Sequence, residues 1–443
     1  MRTMSIEVVR PDVKTAATWE AVTGEAVNGE AAPGEAAVGE ATTEEAAALF
    51  LATLPGATPA RLRRWLGRWQ PTDALHALRD GAPEVAATLE GCTGIDALRR
   101  DWATRCKGAD LPTAAAALHA AATRVWWPGD ARWESTFGDD PSPPGVLFVR
   151  GQLDLLARPR VAVIGTRSAT SSGLQFAGLL GRELCDAGVA VVSGLALGID
   201  GAAHVGVLRA LDAGSGRDDS LAREGSLVAG SPVAGSPVAG GPVAVVGSGL
   251  DVVYPRAHAR LWERVAGSGL LLSESPPGRG PTPASFPQRN RIIAQLATVL
   301  VVVESHEKGG SLITVDRALE RGRRVLAVPG SPLSRASVGT NALLRGVGYE
   351  RPAIPCLGTS DVLALLDLDR TTAVEFRDPR PDPTPTATEL LALMGWEAWP
   401  IGRLVRRAGR SPSAVTLLLA SLEADGWVAR TSGSWHRLAA APW

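Results

Sequence analysis

Between Pro159 and Leu366 the chain repeats one alternation: a short apolar run, then a longer stretch with apolar residues at helical spacing. The runs VAVIG, VAVVSG, PVAVVG, LLLSES, TVLVVVE and RVLAVPG are hydrophobic at nearly every position, not at every second one. Strands that are apolar on both faces belong to parallel sheets covered by helices on both sides. The pattern predicts an α/β fold built on a doubly wound parallel sheet.

Patterns on either side differ. Residues 44–124 read as helical and alanine-rich, with LFLATLPGATPARLRRWLGRW giving helix, Pro-Gly turn, helix. Such a turn is similar to a helix-hairpin-helix or sterile-alpha-like module. Arg61, Arg63 and Arg64 would then either touch a DNA backbone or form a solvated face. A connector rich in Pro and Trp follows and ends in the short apolar strand VLFV. Residues 125–370 hold the sheet domain, 371–387 a Pro-rich extended linker, and 388–443 a unit with the shape of a winged helix, three short helices and a hairpin turning at Ser432 and Gly433. The third helix, PSAVTLLLASLEADG, has no Arg, Lys, Asn or Gln, the side chains that read base edges, which argues against a gene regulator. Arg403, Arg406, Arg407 and Arg410 are left to meet phosphates or a partner protein.

Two five-residue repeats, in residues 24–43 and 226–240, match no solenoid or heptad and have no apolar face to bury. Residues 1–43 are thus expected to be a disordered tail, and 212–241 a disordered insert between a helix and a strand.

Composition narrows the chemistry. At 443 residues about three domains are expected. A net charge of -1 gives the whole chain no attraction for polyanions, so a nucleic-acid site must come from local clustering. Lys14, Lys107 and Lys308 are the only lysines, so the arginine excess is a weak sign of phosphate binding. Cys92, Cys106, Cys185 and Cys356 show no C-x-x-C spacing and read as buried thiols, neither metal ligands nor disulfides. With no apolar leader and no run of ~18 apolar residues, the expected compartment is the cytoplasm.

Three constellations carry candidate chemistry. VAVIGTRSATSSG turns at Gly165 and presents Thr166, Arg167 and Ser168 beside the amide end of a helix, a place suited to a phosphate. It lacks the G-x-G-x-x-G fingerprint, which disfavours a dinucleotide. SGLALGIDGAAH and GSGLDVVYP are glycine-rich loops at strand ends; Asp200 is expected to cap the helix carrying His204, without a nucleophile beside the pair. SFPQRNRIIAQLATVLVVVESHEKGGSLITV joins Phe286, Arg289, Asn290 and Arg291 to a buried strand and to the loop Lys308, Gly309, Gly310, Ser311. Cations and amides at the carboxyl end of a parallel strand call for an anionic ligand, and the aromatic beside the arginines for a stacked base with its phosphates. The lysine precedes the glycines, so this is not a Walker A loop.

In this order GTRS, SGLALGIDGAAH, GSGLDVVYP, FPQRNRIIAQL, KGGSLIT, AVPG and GTNALL resemble the DNA processing protein A (DprA/Smf) family over residues 125–366. The resemblance implies an extended Rossmann-like domain with helical and winged-helix accessories, a homodimer that binds single-stranded DNA and helps load the RecA recombinase, and no cofactor, metal or catalytic group. By motif, Gly165, Thr166, Arg167, Ser168, Phe286, Arg289, Asn290, Arg291, Lys308, Gly309, Gly310 and Ser311 would line the DNA pocket, and Leu343 and Leu344 the dimer interface. Ser172 stands where the family often has tyrosine, which removes one stacking surface. The alternative is a nucleotide-binding or nucleotide-cleaving enzyme of the lysine-decarboxylase-like Rossmann group. Its PGGxGTxxE loop is matched here only by KGGSLITVD, without the glutamate.

Overall fold

The strands predicted from uninterrupted apolar runs assemble into one nine-stranded sheet in a computed structural model that describes residues 41–82, 85, 95–214, 239–366, 380–395, 398–431 and 433–438. The sheet comprises β1 (Arg124–Trp126), β2 (Leu147–Gly151), β3 (Arg160–Ile164), β4 (Ala190–Ser193), β5 (Gly241–Val246), β6 (Leu270–Ser273), β7 (Val299–Val302), β8 (Arg324–Ala327) and β9 (Ile354–Pro355), of which the edge strands β1 and β9 are not among the predicted runs. Their order is β1-β2-β6-β5-β4-β3-β7-β8-β9. From β6 to β9 every pairing is parallel, while β2 joins β6, and β1 joins β2, antiparallel. The connector that delivers VLFV to this antiparallel edge carries the short helix Ala131–Phe137 between β1 and β2.

Successive residues of each strand feed opposite cores, which explains the unbroken hydrophobic runs. Ala162, Ile164, Leu300 and Val302 pack on one face with the helices Ser285–Leu296 and Gly310–Leu319. Val161, Val163, Val299 and Val301 pack on the other with the helices Ser171–Asp186 and Ile199–Gly214. Strand order reverses between β3 and β7, and open sheets bind ligands outside the carboxyl ends of strands at such a reversal.

The N-terminal helices Thr43–Thr53, Pro59–Leu66, Pro71–Asp80, Ile95–Lys107 and Leu111–Ala120 share one core with the sheet. Leu51, Trp65 and Trp102 belong to the same cluster as Phe148, Val246 and Leu271. Arg61 donates to the Gly56 carbonyl at 2.6 Å within the module, and Arg63 to that of Pro143 at 2.5 Å, which ties the module to the connector. Thr42 and Glu45 form a capping box, which starts the first helix inside the stretch expected to be a disordered tail. Likewise Asp212–Gly214, assigned to the insert, continue a helix, and Gly241 opens β5. Residues 1–40, 215–238 and 367–379, which include 371–379 of the expected linker, lie outside the described residues, and the end of that linker already forms the helix from Pro385.

The C-terminal unit has the helices Pro385–Met394, Ile401–Ala408 and Pro412–Ala424 and a small sheet of β10 (Trp399–Pro400), β12 (Ser434–Arg437) and β11 (Val428–Thr431), a winged helix. Its four candidate arginines are partly committed: Arg403 stacks on Trp399 and Arg410 pairs with Glu389 at 3.0 Å. Leu417, three-quarters exposed, sits on the third helix where a base-reading protein would carry a polar side chain. Among the described residues no helix is long and apolar enough to cross a membrane, and no cluster of His, Cys, Asp or Glu could hold a metal.

Candidate nucleic-acid interface

A pocket opens where the loops after β3, β4 and β5 meet the first turns of the helix Ser285–Leu296, lined among others by Arg167, Gly194, Leu197, Tyr254, Phe286 and Arg289. Arg167 is exposed and its guanidinium lies 4.8 Å from the centre of the Phe286 ring. Tyr254 meets the other side of the site, its ring 5.6 Å from that of Phe286 and tilted by 41°. The exposed Tyr254, the half-buried Phe286 and a stacked cation offer π-faces to a base and charge to a phosphate together.

Arg289 forms the floor. It is 6% exposed, its nearest carboxylate is Asp200 with Nη1–Oδ2 at 3.8 Å, and its Nε has no hydrogen-bond partner among the described residues. Burial pulls this guanidinium down from its usual range, against the opposing effect of Asp200. Burial pushes Asp200 up, against the effect of Arg289. Asp200 also accepts from the Gly194 amide at 3.1 Å, which fixes the loop above Arg289. Gly194 has to be glycine, because a Cβ there would lie 1.3 Å from Arg289 Nη1. A buried cation with spare donors beneath a pocket is built to receive an anion.

The Arg167 loop is clamped from two sides. Thr166 donates to the Glu304 carbonyl at 2.8 Å, and Ile199 donates to the Thr166 carbonyl at 3.3 Å. Gly198, at φ +81°, turns the second strap closely against the Thr166 and Arg167 carbonyls, where a side chain would not fit.

The other residues singled out from sequence fall elsewhere. Gly165, Thr166 and Ser168 shape the first loop, with Ser168 donating to Thr166 Oγ1 at 3.2 Å. Asn290 reaches the Gly310 carbonyl at 3.5 Å, a long contact toward the second loop. There Lys308 is exposed, Gly309 caps the helix Gly310–Leu319, and Ser311 turns inward to donate to Ser305 Oγ at 2.9 Å. Arg291 does not join the pocket: it is held by the Glu274 carboxylate and the Ser142 carbonyl on the far side of its helix. The expected phosphate place at the amide end of the helix Ser171–Asp186 is also taken, because the Glu304 carboxylate sits there and accepts from Thr170. Leu343 cannot be a dimer contact on this surface, since it is 2% exposed inside the core; Leu344 is partly buried against the same cluster. Tyr254 and Leu197 were not singled out, although Tyr254 is one of only two tyrosines and ends a glycine-rich loop.

His204, fully enclosed behind the site, is not placed for acid–base work. Burial pulls its imidazole down to about 4. A depressed histidine stabilises the fold above its unfolded value near 6.5, and this contribution is lost as pH falls toward 4. The shift is worth on the order of 3 kcal/mol at ~1.4 kcal/mol per unit. Replacing His204 by Leu should therefore flatten the loss of stability between pH 7 and 4.5 in urea melts. An unchanged pH slope would contradict the assignment.

Comparison with known proteins agrees with this architecture. A family model described as DNA recombination-mediator protein A matches residues 124–215 and 230–350, and one described as the DprA winged helix domain matches 374–434. Protein Smf of Escherichia coli is 34% identical over 302 residues, 67% of this chain and 72% of its own length. DNA processing protein DprA of Streptococcus pneumoniae is 39% identical over 202 residues, 46% of this chain and 61% of that protein. The crystal structure of DNA processing protein A from the same species aligns with a TM-score of 0.56 and 30% identity, covering 73% of this chain and 98% of that one. With both its sheet domain and its winged helix accounted for, the chain belongs to the DprA/Smf family of DNA recombination-mediator proteins.

Proposed function

We propose that this protein is a recombination mediator that binds single-stranded DNA in the cytoplasm, as a homodimer, and helps load the RecA recombinase during DNA processing and transformation. The observation that carries the reading is the buried Arg289 guanidinium, with a free donor, beneath a pocket walled by Arg167, Phe286 and Tyr254. A single strand supplies what this pocket lacks, a phosphate for the floor and an unstacked base for the rings. A duplex keeps its bases stacked and offers only the phosphate. Lys308, on the neighbouring exposed loop, is assigned to the next phosphate along the strand. Arg291 is left out of this set, and Leu344 alone is kept from the leucine pair as a dimer contact. The family names of the relatives favour DNA processing over a nucleotide-cleaving activity, and the reading needs no catalytic group.

Fluorescence anisotropy with a labelled single strand and its duplex at two salt concentrations tests this. The single strand should bind more tightly, with log Kd rising against log salt by about 0.7 per phosphate engaged. Light scattering on the same samples reads the oligomer. Equal affinity for the duplex, or none for either, would overturn the reading.

A further inference from the structure

The helix Ser171–Asp186 begins near the strand reversal, where an open α/β sheet commonly seats a phosphate. Here the chain has filled that place itself. Glu304 leaves β7 with 7% exposure, and its carboxylate accepts from the Thr170 amide at 2.8 Å and from Thr170 Oγ1 at 2.5 Å. Thr170 in turn caps the helix by accepting from the Gly173 amide at 3.1 Å. The carboxylate lies so close to the first turn that a Cβ on Gly173 would come within 2.4 Å of it. Glu304 thus does from another strand what the glutamate of a capping box does locally. Among the described residues it has no ion pair, so the Thr170 amide and hydroxyl and the positive end of the helix are what offset its charge.

We propose that Glu304 is a built-in anion that determines specificity: it closes the phosphate cradle of the sheet to free phosphate and to mononucleotides, and leaves Arg167 and Arg289 as the cations open to a phosphodiester strand. The second half rests on the functional reading above; the first does not. Because Glu304 also holds Thr166 through its carbonyl, the same residue fixes the loop that carries Arg167.

The test is thermal melting of wild type, Glu304→Gln and Glu304→Ala against inorganic phosphate and AMP, with sodium chloride at matched ionic strength as control. Wild type should show at most the weak phosphate stabilisation that the separate Arg289 pocket supplies. Glu304→Gln removes the charge but keeps an acceptor for Thr170, and should gain weak phosphate binding. Glu304→Ala empties the cradle, and should bind phosphate and AMP at least about ten-fold more tightly than wild type. If Glu304→Ala does not fold, Glu304→Gln decides alone. No gain over wild type in the folded variants, or phosphate binding by wild type as strong as theirs, overturns the proposal. A protein that binds no single-stranded DNA yet shows this order sinks the functional reading alone. One that binds DNA without showing the order sinks this proposal alone.

Discussion

Arg289→Ala should bind a short single-stranded oligonucleotide at least ~100-fold more weakly than wild type, the loss expected when one partner of a buried charge-assisted contact is removed. The size follows from position. Arg289 is closed in by Gly194 and the loop after β4, so water cannot readily replace it, and its buried Nε has no hydrogen-bond partner among the described residues. The salt dependence should flatten by about 0.7, one phosphate fewer on a single strand. Arg167→Ala should flatten it by a similar amount with a smaller loss, because Arg167 is exposed and its charge is screened. Arg289→Lys keeps the charge without the planar fork and should fall between wild type and Arg289→Ala. A folded Arg289→Ala protein with wild-type affinity and slope would remove Arg289 from the site.

The fold was legible because each strand is wanted by two cores, and a sequence carries that demand openly: VAVIG and TVLVVVE have no polar position to offer solvent. The helical module was legible as helices but not as part of the same core. Its attachment depends on Glu45, whose carboxylate takes Arg124 at 2.6 Å and the Val125 amide at 3.2 Å, residues far along the chain. In the site, Arg167, Phe286 and Arg289 stood out by motif, whereas the Glu304–Thr170 contact joins residues with 134 positions between their numbers and leaves no local pattern. Arg291 is different, because its misplacement could have been foreseen. FPQRNR lies within the helix Ser285–Leu296, and residues two apart on a helix point about 200° away from each other. If Arg289 faces the pocket, Arg291 must face away. Leu343 and Leu344 separate in a similar way, since adjacent residues of one short helix cannot both face the core squarely.

Arg291→Ala should accordingly damage the fold and not the site. The Arg291 and Glu274 side chains are 10% and 12% exposed, and their ion pair is completed by Arg291 donating to the Ser142 carbonyl at 2.8 Å and by the Gly145 amide donating to Glu274 at 2.9 Å. This network pins the Pro-rich connector, and through it β2, to the helix that carries Arg289. Burial pushes the Glu274 carboxyl up, and Arg291 is the first influence opposing it. Removing the arginine leaves a buried carboxylate without its cation, at a cost of about 3–5 kcal/mol in urea unfolding at pH 7. The sign with pH follows from linkage. A carboxyl whose folded value is raised favours the fold below its unfolded value, and that advantage is lost as pH rises through the folded value. Losing Arg291 raises Glu274 further, so the deficit of Arg291→Ala relative to wild type should shrink on going from pH 7 to 4.5. His204 titrates in both proteins and cancels from the difference. Adding Glu274→Gln to Arg291→Ala removes the stranded charge and should recover much of the stability at pH 7. Whatever fraction stays folded should bind single-stranded DNA as wild type does, and a variant of full stability but weakened DNA binding would return Arg291 to the pocket.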